Sequence, residues 1–347
     1  MIVKAALLTA PDALVLTELP VPALESGDVL IRVRAATICG TDIRIFRGRK
    51  TAGIRYPSVL GHEFAGEVVD AGGNPHLGAG DRVALCPAIS CGRCHLCKTG
   101  RENLCKDGQA VGYEIDGAFA EFIRIPARAV AAGNIRKLPE TTGFDEAALA
   151  EPLACVLNGQ EKVGVTAGDV VLVLGAGPIG LLHVYLARLR GAAKIIVSDP
   201  NAHRRDAAMT GGADVTIDPR AEDVAARVAE ETAGMGATVV ICAIGVPALA
   251  RQASDLVAHG GRISLFAGFS KGEMAEMDVN AIHYNEITVT GAFGLSRRDY
   301  DRAFDMIAGR GMDVRGLITH RYGLDSIVEA FKTAESGGAI KVAIIND

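Results

Sequence analysis

The chain has 347 residues, 49% of them hydrophobic and 22% charged, with a formal net charge of -5. Such a composition describes a globular protein long enough for two domains, and its acidic balance argues against nucleic acid or an anionic membrane as partner. No apolar run reaches the roughly 18 residues of a membrane span, and the opening MIVKAALLTAPDALVL lacks the basic-then-apolar order of an export signal. A reducing, cytoplasmic compartment is therefore expected.

The first half reads as β-rich. Residues 28–35 (DVLIRVRA), 64–69 (FAGEVV) and 119–125 (FAEFIRI) alternate and are separated by Gly, Pro and Asp turns. Between the first two runs lie TICGTD, with Cys39, and VLGHEFAG, with His62 and Glu63. One Cys, one His and one carboxylate form a zinc set that leaves a coordination position for water or substrate. Each residue alone is weak evidence, because a lone Cys usually packs as a small hydrophobe. The intervening RIFRGRKTAGIR carries Arg44, Arg47, Arg49, Lys50 and Arg55 without an acid. It reads as a solvated loop; the sharper alternative is that Arg44 meets an anionic substrate group.

Next comes SCGRCHLCKTGRENLC, with Cys91, Cys94, Cys97 and Cys105 spaced C-x2-C-x2-C-x7-C. In a reducing compartment four clustered thiolates point to metal rather than to disulfides, and a zinc closed by four sulfurs is structural. Arg93, Lys98, Arg101 and Lys106 raise a zinc-finger reading, but the lobe has no aromatic residue to stack on a base and the chain around it is acidic.

From Gly168 onward strands alternate with helical stretches: VVLVL, KIIVS, DVTID, ATVVICAI, RISLF and EITVT. Six such strands imply a doubly wound parallel sheet. The first leads into GAGPIG, residues 175–180, which sets Gly175, Gly177 and Gly180 in G-x-G-x-x-G register around Pro178 and Ile179. Strand, turn and helix in this order make a pyrophosphate cradle at a helix N-terminus. Asp199, at the end of the next strand, accepts both ribose hydroxyls and repels a 2′-phosphate, so NAD is expected over NADP; His203, Arg204 and Arg205 beside it pull the other way. After Gly291 a helical stretch (299–308) and a last strand, IKVAII, have no βα unit to extend the sheet.

CGTD, GHEFAGEV, GDRVA, the four-cysteine lobe and GAGPIG, in this order, resemble the zinc-dependent medium-chain alcohol and polyol dehydrogenases over essentially the whole chain. EPLAC at residues 151–155 and HYNEITVTGAFG resemble the sorbitol (L-iditol) and threonine dehydrogenase branches. The fold implied is a GroES-like β-barrel catalytic domain (1–153 and 291–347, with a structural zinc lobe at about 86–106). Into it is inserted a Rossmann NAD-binding domain (154–290) with a six-stranded parallel sheet.

The resemblance also implies roles. Cys39, His62 and Glu63 hold a catalytic zinc that Glu151 approaches or joins, and Asp42 orients His62. Thr41 takes the substrate proton. Arg204 and Lys341 contact the cofactor, Lys341 at the pyrophosphate. Many relatives carry a relay histidine where this chain has Arg44, which cannot accept a proton at working pH, so the relay is left to Thr41, the ribose and water, or to Glu151. Two zinc ions per chain, NAD, a polyol or sugar-derived alcohol and a homodimer or homotetramer are expected. The alternatives are an anionic substrate (a phosphorylated polyol or sugar acid), L-threonine, or a non-catalytic NAD-binding sensor.

Overall fold

The computed structural model describes residues 2–270 and 272–346. The chain divides into two compact units, Met1–Ala154 with Leu295–Asp347, and Cys155–Gly294. Among the described residues no helix is long and apolar enough to cross a membrane.

In the first unit the strands Ile135–Lys137, Arg82–Leu85, Glu63–Asp70, Val29–Thr37, Lys341–Ile345 and Ile318–Gly323 lie side by side in that order, and Phe122–Ile125 also pairs with Val29–Thr37. A second sheet joins Ala13–Pro20, Ile2–Ala10 and Ser58–Val59. Alternating apolar residues from both sheets meet in one core that includes Leu8, Val33, Phe64, Phe119, Val342 and Ile344. The strand expected over 119–125 begins only at Phe122. Phe119 is fully buried, with its amide on Leu60 and its carbonyl on Ala6, outside the ladder of that strand.

The C-terminal strand decides what meets at the metal site. It runs antiparallel to Val29–Thr37 with Ala343 opposite Thr37, while Thr37 is opposite Glu63 on its other side. Residues two apart on a strand share a face, so Lys341 stands on the face of Ala343. Three strands distant in sequence thus bring Glu63, Thr37 and Lys341 together.

In the second unit six parallel strands, Val170–Leu174, Lys194–Ser198, Val215–Ile217, Ala237–Cys242, Val257–Leu265 and Thr288–Gly291, are ordered third, second, first, fourth, fifth, sixth. This is the doubly wound arrangement, and its strand order reverses beside the first strand, where ligands bind at the carboxyl ends. The last strand begins at Thr288, two residues later than EITVT suggested, because Glu286 adopts a positive φ of 52° that ends the preceding turn.

His183, in the helix Pro178–Leu189, is completely buried, and burial followed by the charge of Arg190 pushes its pKa down to about 3. In the unfolded chain the ring takes a proton near pH 6.5. The folded state therefore loses stability as pH falls from about 6.5 towards 3, by up to about 1.4 kcal/mol per pH unit from this group. Denaturant midpoints of wild type and His183→Asn, compared at pH 7 and pH 5, should show the larger drop in wild type; equal drops would contradict this.

Candidate metal and cofactor sites

The metal site grows from two chain crossings. Cys39 directly precedes the helix Gly40–Phe46, and His62 directly precedes the strand Glu63–Asp70. Because Thr37 and Glu63 are ladder partners, Cys39 and His62 emerge at the same end of the paired strands. Ligand atoms of Cys39, His62 and Glu63 all lie within 4.8 Å of one another.

Asp42 works on both fragments. Its Oδ2 accepts the Cys39 N–H at 2.8 Å, while its Oδ1 lies 3.3 Å from His62 Nδ1, close enough for ion-pair attraction but not aligned as a hydrogen bond. That side of the ring faces Asp42, which leaves Nε2 for a metal. Tyr113 stacks on the His62 ring with centroids 5.1 Å apart and planes 29° apart.

Glu63 is fully buried and its two oxygens are used differently. Oε2 accepts a short hydrogen bond from the Thr37 hydroxyl and pairs with Lys341 Nζ at 2.5 Å, whereas Oε1 has no partner. Burial works against the Lys341 charge, but Glu63, Cys39 and Glu151 outweigh it and hold its pKa raised. A buried carboxylate oxygen without a donor, beside a thiol and an imidazole, is what a metal ligand looks like before its ion is added. The donor set fits Zn2+, with a position left open.

Lys341 is 3% exposed and pairs with Glu63. Glu151 does not belong to the group within 4.8 Å. It stands in the first turn of the helix Ala150–Val163, and its charge is felt at Lys341 and Tyr113. Thr41 and Arg44 lie on the helix Gly40–Phe46, both half-buried. Of the basic run, Arg47 pairs with Asp12 and Glu335 at 2.5 Å each, and Arg55 with Asp116 at 2.6 Å. These two are exposed, and they brace the loop to acids from segments distant in sequence.

In the lobe the four thiols converge, with Cys94 Sγ 3.5 Å from Cys97 Sγ and 3.9 Å from Cys105 Sγ, and no disulfide is formed. Backbone N–H groups of Arg93 and Cys94 bring the Cys91 thiol down to about 6, while burial and neighbouring thiols push Cys97 up to about 11. Zn2+ fits this all-thiolate set as well. Arg128 donates to the carbonyls of Ser90, Ile89 and Asp107, tying the lobe to its base.

In the second unit Gly175 has φ +97°, and a Cβ on Gly180 would stand 1.9 Å from the Gly175 carbonyl oxygen, so both positions require glycine. Gly177 precedes the helix that begins with Pro178 and Ile179. Asp199 Oδ2 accepts the Ala176 N–H at 2.7 Å and Oδ1 the Asn201 N–H at 2.8 Å, which fixes the acid beside the glycine turn. Arg204 lies in the next helix with its Nε buried, and Arg205 holds the Asp199 carbonyl at 2.8 Å.

Sequence reasoning missed Thr37 and Tyr113. Thr37 is legible only through strand register, and Tyr113 only through a loop that returns to His62.

The model of the alcohol dehydrogenase GroES-like domain matches residues 25–139, and that of the zinc-binding dehydrogenases matches 178–309. The chain is 36% identical to an L-threonine 3-dehydrogenase of Pyrococcus furiosus over 95% of its own length and 94% of the relative's. A Sinorhizobium meliloti protein described as a zinc-binding dehydrogenase, solved with NADP bound, superposes with a TM-score of 0.93 at 34% identity, each chain covered in full. The 2R,3R-butanediol dehydrogenase of Bacillus subtilis superposes at 0.88 with 28% identity, over 99% of this chain and 100% of that one.

Proposed function

The chain belongs to the zinc-binding, GroES-like alcohol dehydrogenases, and on that premise we propose that it oxidises a secondary alcohol of a polyol or sugar derivative to the ketone, passing hydride to NAD. The observation that carries this reading is the three-residue donor set with the unpartnered Glu63 Oε1. A sensor that had lost its chemistry would have no need of such a set.

Cys39, His62 and Glu63 would hold the metal, whose Lewis acidity lowers the pKa of an alcohol as it lowers that of water from 15.7 to about 7 in favourable sites. Asp42 keeps the His62 ring in one orientation. Thr37 and Lys341 hold the other Glu63 oxygen, so the carboxylate cannot turn away. Thr41, half-buried two residues after Cys39, would take the substrate proton, since Arg44 cannot. The reaction balances as the alcohol gives up a proton outward and a hydride to the nicotinamide.

Asp199 supports NAD as the preferred dinucleotide, because its charge opposes a 2′-phosphate. Asp199→Asn keeps the size and loses the charge, and should move the NAD-to-NADP ratio of kcat/KM towards NADP by about 10- to 100-fold. Initial rates with each cofactor check this; an unmoved ratio would reject the assignment.

L-threonine is the second reading, favoured by the threonine dehydrogenase relative. NADH formation by zinc-replete enzyme across neutral polyols, sugar acids, phosphate esters and L-threonine separates the two. Turnover of L-threonine alone would replace the polyol reading, and absence of turnover with zinc and NAD bound would favour the sensor. A homodimer or homotetramer is proposed through the outer edge of Thr288–Gly291, supported by the exposure of Tyr284 (78%) and Phe293 (70%) near it in the chain. Light scattering that returns 36.1 kDa would overturn that assembly.

A further inference from the structure

Segments 47–57 and 110–117 are joined beside His62. Arg55 and Asp116 form an ion pair at 2.6 Å, and Asp116 also accepts the Val59 N–H at 3.0 Å. This bracing holds Tyr113 against the His62 ring, and Lys50 Nζ lies over the Tyr113 ring, 4.5 Å from its centroid. The ammonium is thus one aromatic ring removed from a metal ligand.

Lys50 differs from Arg47 and Arg55 in the same run. Those two are neutralised by acids, whereas no carboxylate among the described residues lies within ion-pair distance of Lys50. Its polar contact is the Ala52 carbonyl at 3.4 Å, and its position is fixed by the backbone, since Lys50 N–H donates to the Arg44 carbonyl at 3.1 Å. Glu114, the nearest acid by its effect, has Oε2 on the Ala110 N–H at 2.8 Å. Half-burial works against the Lys50 charge, Glu114 favours it and Arg44 opposes it. A cation–π contact offsets only part of the cost of half-burying the Lys50 ammonium. An anion entering beside the metal would relieve the rest and gain a charge-assisted hydrogen bond.

We propose that Lys50, seated on Tyr113, is a specificity residue that receives an anionic substituent, carboxylate or phosphate, of the alcohol whose hydroxyl is bound at Cys39, His62 and Glu63. This rests on the dehydrogenase reading above and narrows its substrate class to sugar acids or phosphate esters of sugars and polyols. Arg44 adds positive potential at the same place.

The test compares a neutral polyol with the corresponding acid and phosphate ester in wild type, Lys50→Met and Lys50→Arg. Lys50→Met keeps the apolar stem and should lower kcat/KM for the anionic substrate by about 10- to 100-fold while changing that for the neutral polyol by less than about threefold. Lys50→Arg should restore most of the loss. Calorimetry of the zinc-loaded proteins with gluconate and with inorganic phosphate gives a second readout, and Lys50→Met should weaken binding of the recognised anion by a similar factor. Whichever anion responds identifies carboxylate or phosphate as the group read. Equal losses for neutral and anionic substrates, or anion binding unchanged in Lys50→Met, would overturn the proposal and leave Lys50 as packing for Tyr113. If no alcohol is turned over, the dehydrogenase reading fails while the calorimetric comparison still decides the role of Lys50.

Discussion

Cys39→Ala should lower the zinc content from about two ions per chain to about one and reduce kcat/KM by about 10³-fold or more, since the metal held there would supply the Lewis acidity on which the proposed chemistry depends. The thiol is half-buried directly before a short helix, and the unit's apolar core, which includes Phe64, Val33 and Ile344, does not include it. Thermal stability should accordingly change far less than activity. Metal analysis, steady-state rates and a thermal scan on one preparation check this. Full activity with one zinc would show that the chemistry does not use this trio.

Cys94→Ser should have the complementary effect. The lobe's two short helices, His95–Lys98 and Glu102–Leu104, contain no buried residue, so little apolar surface holds the lobe once its metal is lost. Structural zinc contributes about 10–16 kcal/mol to folding in isolated zinc-finger peptides, and the few contacts from Arg128 and from Glu102, which accepts hydrogen bonds from the Ser90 hydroxyl and the Arg297 N–H, cannot replace that. The exposed Arg93, Lys98, Arg101 and Lys106 should then become rapid trypsin sites, while the zinc left behind is the one at Cys39. Mass spectrometry of the fragments reads this directly. An unchanged cleavage pattern would mean that the lobe is held by its hydrogen bonds alone.

The two metal sites were legible to different degrees. The four cysteines of the lobe lie within one short loop, so their spacing already limits how far apart the thiols can be. Cys39, His62 and Glu63 are separated by a helix and a loop, and residue type alone left them open to a packing role. Register then brought them together, because Thr37 faces Glu63 across the ladder. The glycine turn was legible for the same reason as the lobe, since every element of the fingerprint is a near neighbour in the chain.

Lys341 shows what motif position leaves out: its burial and its pairing with Glu63 depend on the strand Lys341–Ile345 lying beside Val29–Thr37. Arg47 and Arg55 show the same limit for charge. The run contains no acid, and the partners of these two exposed residues, Asp12, Asp116 and Glu335, come from elsewhere in the chain.

By itself the sequence determined the two-part organisation, the six-stranded parallel sheet, the dinucleotide turn and the thiolate lobe, since each is encoded by periodicity or spacing over a few tens of residues. Only the tertiary structure decided which oxygen of Glu63 is left over, which cations are neutralised and which ring separates Lys50 from His62. Those facts depend on strand register and loop return between distant segments, where the energy of a charge is set by neighbours that no local pattern names.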